Sequence, residues 1–293
     1  MKLGKLAVWA ALDQLSAADS AAFAQRVEQL GYSALWQPEG FGRNVLVQSG
    51  WLLANTSRLI VATGIANIYG RDAVAMASAQ YGLAEQSQGR FLLAMGVSHA
   101  PIVSAIRGHD YGKPVATMRE YLTAMRAHDY LAAPPAETPP TMIAALGPKM
   151  LELAAELADG AHPYNVTPEH TRKARSILGA GKLLCVEQKV ILETDPATAR
   201  AAGRKQLGLY LGMVNYQKNW ASLGFDESDW SGTGSDRLID AMFAWGSEDA
   251  IRERIREHLD AGADQLCIQP VAASGDHARD LAVLEALAPA GGN

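Results

Sequence analysis

RLIVATGIANIYGRDAVAMASAQYGLAEQSQGRFLLAMGVSHA, residues 58–100, is the stretch that decides the fold. Two β-rich runs, 58–65 and 90–97, flank a helix-patterned segment at 72–88. A strand, a crossover helix and a second strand in this order predict a parallel, right-handed βαβ unit. Ligands of parallel α/β folds bind at the carboxyl-terminal edge of the sheet. The residues that follow each strand are therefore the first candidates for chemistry.

The same alternation of strand and helix extends over the rest of the chain. Eight strands are predicted, at residues 3–9, 32–37, 58–65, 90–97, 141–146, 160–163, 183–192 and 264–271. This pattern favours an α/β fold of the TIM barrel type, (β/α)8, over a doubly wound sheet. Longer segments after the fourth and seventh strands predict insertions there, and no shift of composition marks a domain boundary. We expect a single barrel domain spanning residues 1–293.

Predicted helix boundaries carry recognisable caps. Ser16 with Asp19 fits a capping box and Gly31 fits a helix stop, while Thr167 and Ser247 fit N-caps of later helices. Further helices are predicted at 115–131, 148–157, 196–219 and 276–287.

Composition and charge exclude several classes of function. The net charge is −5 and there is no run of lysine or arginine, which argues against a nucleic-acid partner. No apolar run is long enough to cross a membrane, and the short apolar segment 6–12 is interpreted as the first strand, not a signal peptide. Cys185 and Cys267 lie in apolar runs, which predicts buried reduced thiols and a cytoplasmic protein.

Two glycine-containing strand ends are candidates for ligand contact. Gly64, between Thr63 and Ile65, marks either a close backbone approach to a ligand or a simple kink of a barrel strand. Gly147 and Pro148 lead from the fifth strand into a helix, whose N-terminus is a natural seat for a phosphate. An ordinary tight turn remains the alternative at that position.

Titratable side chains follow three of the strands. Glu39, His99 and His162 stand at predicted carboxyl ends, where acid–base residues of barrels gather, although a lone residue of this kind is more often structural than catalytic. Four further histidines lie in helical or loop segments and are expected to face solvent, namely His109, His128, His258 and His277.

Motifs for other chemistries are missing from the sequence. No G-x-G-x-x-G follows a strand, and no P-loop, H-E-x-x-H or G-x-S-x-G pattern occurs. Neither cysteine has a C-x-x-C partner, so no metal site is expected.

Three stretches carry a resemblance to the bacterial luciferase-like superfamily, and within it to the coenzyme F420-dependent oxidoreductases. They are TGIANIYGRDAVAMASAQYGLAEQSQGRFLLAMGV at 63–97, AALGPKMLELAAELADGAHPY at 144–164 with the following TPEHT, and GADQLCIQPV at 262–271. The resemblance covers nearly the whole chain. It implies a (β/α)8 barrel that binds a flavin or deazaflavin at its carboxyl-terminal mouth.

The resemblance also implies positions for the cofactor. The third strand of the family ends in a bulge with a non-proline cis peptide, which here would be Gly64–Ile65, and a Gly-Pro turn after the fifth strand holds the cofactor phosphate. The expected cofactor-binding residues are Thr63, Gly64, Ile65, Asn67, Gly96, Val97, Ser98, Ala145, Leu146, Gly147, Pro148 and His162. The family usually forms homodimers, and a homodimer is expected here.

The function implied is hydride transfer between coenzyme F420 and a small organic substrate. His99 would donate or accept the substrate proton, and Glu39 would orient the substrate or tune that histidine. The sugar-phosphate dehydrogenases of the superfamily carry a histidine after the second strand and a glutamate after the fourth, the reverse of this pair, so their substrate is not carried over.

Two alternatives stay open. One is an FMN-dependent monooxygenase on the same fold, although the Gly-Ile ending of the third strand favours the deazaflavin. The other is a flavin- or deazaflavin-binding protein without turnover, because fold does not imply function. The segments 98–115 and 215–236 are expected to form the substrate walls.

Overall fold

Parallel strands form the centre of the molecule in the computed structural model, which describes residues 1–273 and 281–289. The strands are β1 Leu6–Trp9, β2 Ala34–Gln37, β3 Ile60–Thr63, β4 Ala66–Asn67, β5 Phe91–Gly96, β6 Thr141–Ile143, β7 Gly160–Ala161, β8 Leu183–Ile191, β9 Phe243–Trp245 and β10 Gln265–Pro270.

Eight of these strands close into a barrel. Each is parallel to its neighbours in the order β1-β2-β3-β5-β6-β7-β8-β10, and β10 pairs with both β8 and β1, which closes the ring. The (β/α)8 prediction is confirmed, and each predicted strand contains one ring strand. Two short strands add to the ring without enlarging it. β4 resumes the third strand beyond an interruption and pairs with β5, and β9 pairs with the last residues of β8.

Helices surround the barrel and also form both insertions. They are α1 Ala17–Gln29, α2 Val45–Ala54, α3 Ala73–Gln86, α4 Ala100–Ala105, α5 Pro114–Ala127, α6 Pro148–Leu157, α7 Pro168–Leu178, α8 Pro196–Leu211, α9 Val214–Ala221, α10 Glu227–Trp230, α11 Asp236–Met242, α12 Glu248–Asp260 and α13 Leu281–Ala286, with a 3-10 helix at Ile68–Gly70. The helix predicted at 196–219 is two helices, α8 and α9. The predicted start of the last helix, at 276, lies outside the described residues.

The predicted N-caps are in place, although at Ser16 the Asp19 carboxylate accepts from the Ser16 hydroxyl at 2.6 Å and no reciprocal capping-box bond is described. The Ser16 side chain accepts a hydrogen bond from the Asp19 N–H at 3.1 Å, and Thr167 and Ser247 cap α7 and α12 in the same way. Gly31 follows α1 with φ of 85°, a conformation that glycine adopts without a side-chain clash. Local sequence thus fixes where these helices begin and end.

Small and large side chains alternate inside the barrel. Alanines from four strands leave room for Trp36, which is fully buried and whose indole Nε1 donates to the Gln265 Oε1 at 2.8 Å. The four alanines are Ala7, Ala34, Ala62 and Ala94. The lower barrel is therefore a packed core, and space for a ligand has to come from the carboxyl-terminal mouth.

The predicted burial of the two cysteines is confirmed, whereas the predicted exposure of the four histidines holds only in part. Cys185 and Cys267 are buried free thiols, as expected, and His109 is exposed. The prediction for His258 is wrong, because it is fully buried between Thr171 and Gln188. His128 is half-buried against Ser78, and His277 lies outside the described residues.

No helix within 1–273 or 281–289 is long and apolar enough to cross a membrane.

Gly160 tests the packing of the barrel wall. A Cβ there would lie 2.2 Å from the Leu183 backbone oxygen of the neighbouring strand, so one of the two strands would have to shift. We expect Gly160→Ala to lower the free energy of unfolding by about 1–3 kcal/mol, the usual cost of overpacking, in urea denaturation.

Gly181 is the matched control. It lies in an exposed turn, and a Cβ there meets no atom within 4 Å. Gly181→Ala is expected to leave the urea midpoint nearly unchanged. Equal effects of the two substitutions would contradict the close contact at Gly160.

Candidate active site

The third strand of the barrel is interrupted by a bulge at its carboxyl end. The Gly64–Ile65 peptide between β3 and β4 is cis, as the sequence analysis expects. The Gly64 N–H donates to the Gln37 carbonyl at 2.7 Å, and the Gly64 carbonyl accepts from the Trp9 indole at 3.0 Å. A Cβ on Gly64 would lie 2.7 Å from Trp9 Nε1, so only glycine fits.

Glu39 holds the far side of this bulge. Its backbone N–H donates to the Ile65 carbonyl at 3.2 Å, and its Oε2 accepts from the Asn67 N–H at 2.7 Å. Its Oε1 forms an ion pair with Arg71, and both side chains are at least nine-tenths buried. Both carboxylate oxygens of Glu39 are thus engaged by the chain itself.

Thr63 and Gly96 join the bulge to β5. Thr63 Oγ1 donates to the Ala94 carbonyl at 2.6 Å and accepts from the Ala94 N–H at 2.8 Å. The Ile65 side chain lies against Gly96, where a Cβ would come within 2.4 Å of Ile65 Cδ1. Gly96 is therefore required by the position of the bulge.

Three further predicted residues, Asn67, Val97 and Ser98, lie at or just after the ends of β4 and β5. Asn67 Oδ1 accepts from the Tyr69 N–H at 2.9 Å and caps the 3-10 helix. Ser98 has φ of 56°, and its carbonyl accepts from the Tyr111 hydroxyl at 3.1 Å. Val97 is half-buried and packs on the main core.

His99 is half-buried at the N-terminus of α4, where its side chain makes no capping bond. Its ring lies 5.9 Å from the Tyr216 ring, centroid to centroid. Burial lowers the pKa of His99, and a hydrogen bond with Asn215 opposes that shift. His99 thus follows β5, whereas Asn215 and Tyr216 belong to the insertion after β8. The two segments that are predicted to form the substrate walls therefore meet at His99.

Glu39 and His99 have separate partners. Within residues 1–273 and 281–289 they share no hydrogen bond, so Glu39 does not act on His99 by direct contact.

His162 lies beneath the bulge. Its ring stacks on Trp36 at 4.3 Å, and its Nδ1 is 2.8 Å from the Cys185 carbonyl. Because a carbonyl only accepts, Nδ1 carries the proton and Nε2 is a lone-pair acceptor. Nε2 is buried without a hydrogen-bond partner and faces Gly64, 3.3 Å from where a Cβ would stand. Burial lowers the pKa of His162 to about 4, which keeps the ring neutral at pH 7.

The Gly147-Pro148 turn opens α6 at the barrel mouth. No side chain caps this helix, Gly147 is exposed, and a Cβ there meets nothing within 4 Å. Behind the turn Ala145 is buried, and His170 Nε2 lies 2.8 Å from the Leu146 carbonyl, which holds the turn in place. The first turn of α6 is thus open to an anion, as its N–H groups and dipole favour.

A buried charged pair on β8 is a feature that the sequence analysis missed. Lys189 Nζ lies 2.6 Å from Asn165 Oδ1 and 3.1 and 3.3 Å from the two Glu187 oxygens. Both charged side chains are 1% exposed. Burial raises the pKa of Glu187 and lowers that of Lys189, while their mutual attraction opposes both shifts. The letters VEQKV, two charges inside an apolar strand, could have indicated it.

Aromatic rings connect this pair to the insertion after β8. Lys189 Nζ lies 3.7 Å from the centroid of the Tyr164 ring, a cation–π contact. Tyr164 in turn contacts Trp9 at 5.4 Å and Tyr210 at 5.5 Å, and Tyr210 contacts Tyr216 at 5.2 Å. Tyr210 and Tyr216 lie on α8 and α9, so the insertion after β8 covers part of the mouth.

A cleft of about 960 Å³ lies within that insertion and not at the bulge. It is lined in part by Arg204 and Trp230, and Arg204 is already paired with Asp236. We place the candidate site at the barrel mouth, because the unpaired polar atom of His162 and the groups with shifted pKa gather there.

No group of three or more His, Cys, Asp or Glu side chains is placed to hold a metal ion in the part of the chain that the structure describes.

Comparison with known proteins gives the chain relatives along nearly its whole length. The family model described as luciferase-like monooxygenase matches residues 2–265. A Mycobacterium tuberculosis protein named for coenzyme F420-dependent oxidoreductase activity is 25% identical, with 97% of this chain and 99% of that protein covered.

Solved structures share the fold. An F420-dependent secondary alcohol dehydrogenase, in complex with an F420–acetone adduct, has a TM-score of 0.77 at 15% identity, covering 98% of this chain and 99% of its own. The FMN-bound oxygenating constituent of a type II Baeyer–Villiger monooxygenase from Pseudomonas putida has a TM-score of 0.69 at 15% identity, covering 96% of both. At this identity the likeness shows the barrel and not the cofactor.

His162 predicts an acid-dependent loss of stability. Its pKa is about 4 in the folded state and near the ordinary 6.5 in the unfolded chain, so the unfolded chain binds the proton first as pH falls. Its contribution is therefore fully present above pH about 6.5 and is lost between about 6.5 and 4, by about 3 kcal/mol in all. Urea midpoints across this range measure it.

The control is His162→Gln, which removes the titrating group. We expect the variant to show a shallower fall of the urea midpoint between pH 6.5 and 4 than the unmodified protein. An identical slope in both proteins would show that His162 does not take up this proton on unfolding.

Proposed function

The chain belongs to the luciferase-like monooxygenase family, and from that premise we propose that it transfers a hydride between coenzyme F420 and a small organic substrate at the barrel mouth. The observation that carries the proposal is the bulge at Gly64–Ile65, held by Trp9 and Glu39 beside the open N-terminus of α6. The F420-related name of the Mycobacterium tuberculosis relative supports the choice of cofactor.

The residues at the mouth fit a phosphate-bearing deazaflavin. The exposed Gly147 leaves open space in front of the uncapped α6, where the cofactor phosphate would bind. Ile65, Asn67 and Ser98 would lie nearest the ring system, and Thr63 and His162, both buried, would support this bed from below. The bound deazaflavin supplies a carbon centre that accepts or donates a hydride, and the protein supplies position and electrostatics.

His99 is the residue we assign to proton transfer. Its ring carries no capping duty, and burial keeps it mostly neutral at pH 7, so that it can accept a proton from a substrate hydroxyl or return one. Asn215 holds the ring, and Tyr216 covers it. Glu39 has a different part in this proposal: because its oxygens are bound to Arg71 and the Asn67 N–H, it positions the bulge and moves no proton.

Ligand-dependent melting tests the cofactor. We expect oxidised F420 to raise the melting temperature of the protein by mass action, and FMN at the same concentration to raise it less. Stronger protection by FMN would favour a flavin monooxygenase, for which the shared fold of the Pseudomonas putida protein is the supporting observation. Binding of F420 without reduction by any substrate in a broad screen of alcohols and carbonyl compounds would favour a carrier.

Replacement of His99 separates catalysis from binding. We expect His99→Ala to reduce the single-turnover rate about 10²–10⁴-fold, the usual contribution of general acid–base catalysis, and to leave F420 affinity within a few-fold. Stopped-flow absorbance and a fluorescence titration measure the two. Loss of affinity at an unchanged rate would show that His99 binds the cofactor instead.

Replacement of Gly147 tests the phosphate seat. Nothing in the fold opposes a larger side chain there, so Gly147→Val should unfold at the same urea concentration as the unmodified protein. The added bulk in front of α6 should weaken F420 binding at least about tenfold. Gly181→Val, in an exposed turn with equal free space, serves as control. Unchanged F420 affinity in Gly147→Val would place the phosphate elsewhere.

A further inference from the structure

Arg107 is half-buried, and its side chain has no hydrogen-bond or ion-pair partner among the residues that the structure describes. It follows α4 in the insertion after β5, and its Nε is buried with no hydrogen-bond acceptor. Within residues 1–273 and 281–289 its guanidinium forms no ion pair. Arginine is rarely buried unless it is paired, and an unsatisfied buried donor carries a free-energy cost. This side chain therefore needs an explanation that its own chain does not supply.

The Arg107 side chain lies against Gly70, beside the bulge. A Cβ on Gly70 would stand 3.3 Å from Arg107 Nη1 and 3.8 Å from Glu39 Oε2, so both groups border the same small space. Gly70 ends the 3-10 helix after β4, and Arg107 follows the helix after β5. Since β4 and β5 are paired and parallel, both segments belong to the carboxyl-terminal mouth.

Positive charge exceeds negative charge among the side chains beside Gly70. Glu39 is the carboxylate beside Arg107, but its Oε1 is bound to Arg71 and its Oε2 to the Asn67 N–H. Two guanidinium groups thus lie near one carboxylate, and only that of Arg71 is paired with it, which leaves the Arg107 charge with free donors. A planar guanidinium is the side chain that best matches the two oxygens of a carboxylate or phosphate.

We propose that Arg107 binds an oxyanion, a carboxylate or phosphate, carried by the organic substrate. The substrate class is then an anionic alcohol or carbonyl compound, with its charged end at Arg107 and its reacting end toward the bulge. The identification of the anion as part of a substrate rests on the proposed function, whereas the binding of an oxyanion to Arg107 does not.

The first experiment uses the protein without cofactor. Inorganic phosphate and succinate, each at constant ionic strength in chloride, should raise its melting temperature. Arg107→Gln should weaken the apparent phosphate affinity about ten- to a hundredfold, because a charge-assisted contact is lost. Arg107→Lys, which keeps the charge without the planar fork, should retain part of the response. The control Arg126→Gln removes one charge from an exposed site and should keep the full response.

Stability without the anion separates binding from structure. Because the guanidinium makes no hydrogen bond or ion pair with the described residues that the fold would lose, Arg107→Gln should melt in chloride alone at the same temperature as the unmodified protein, or higher. A lower melting temperature together with an unchanged phosphate response would make Arg107 structural and overturn the proposal. An equal phosphate response in Arg107→Gln and Arg126→Gln would overturn it as well.

A calorimetric titration of F420 distinguishes the two sources of the anion. If F420 binds to Arg107→Gln as tightly as to the unmodified protein, the seat at Arg107 is free for the substrate, and phosphate competes with F420 equally in both proteins because it does so at α6. If Arg107→Gln weakens F420 binding, the seat belongs to an anionic group of the cofactor and the substrate assignment is wrong. Failure of F420 to bind at all would refute the proposed function but leave the phosphate result intact.

Discussion

The interruption of the third strand imposes the constraint on which the mouth of this barrel depends. Between Thr63 and Asn67 the chain leaves the regular ladder, and its buried N–H and carbonyl groups need other partners. They find them in the Trp9 indole, the Gln37 carbonyl and Glu39, while Thr63 bonds twice to Ala94. One local departure from the sheet thus engages side-chain or backbone groups of β1, β2, β3 and β5.

Polar side chains inside the barrel differ in charge between the region below this bulge and the region at its side. Below it, His162 is neutral and stacked on Trp36. At the side, Glu187 and Lys189 remain close to each other in a place where desolvation opposes both charges. A buried ion pair is weak evidence for stability, since apolar replacements of equal volume are often as stable. Its position one aromatic ring away from Trp9 is better explained by a functional site than by packing.

The sequence predicts those parts of the molecule that depend on short-range pattern. The ring strands, the caps at Ser16 and Thr167 and the bulge at Gly64 follow from periodicity, capping chemistry and a family resemblance. His258 was predictable on the same grounds, because it stands three residues after Ile255 and seven after Ile251 on the buried face of α12. The pairing of Glu39 with Arg71 and the isolation of Arg107 were not, because they depend on distant segments that meet only when the barrel closes.

The two insertions meet over the candidate site. This explains why the fold can be predicted from the sequence of this chain and the substrate cannot. His99 comes from the fourth ring strand, but Asn215 and Tyr216, which hold and cover it, come from the insertion after the seventh. The barrel strands obey a period that any relative must keep, whereas loops are free to vary as long as their ends remain in place. We therefore propose that the chemistry of the site resides on the strand ends, and that the choice of substrate depends on the two insertions, which carry Arg107 and Tyr216.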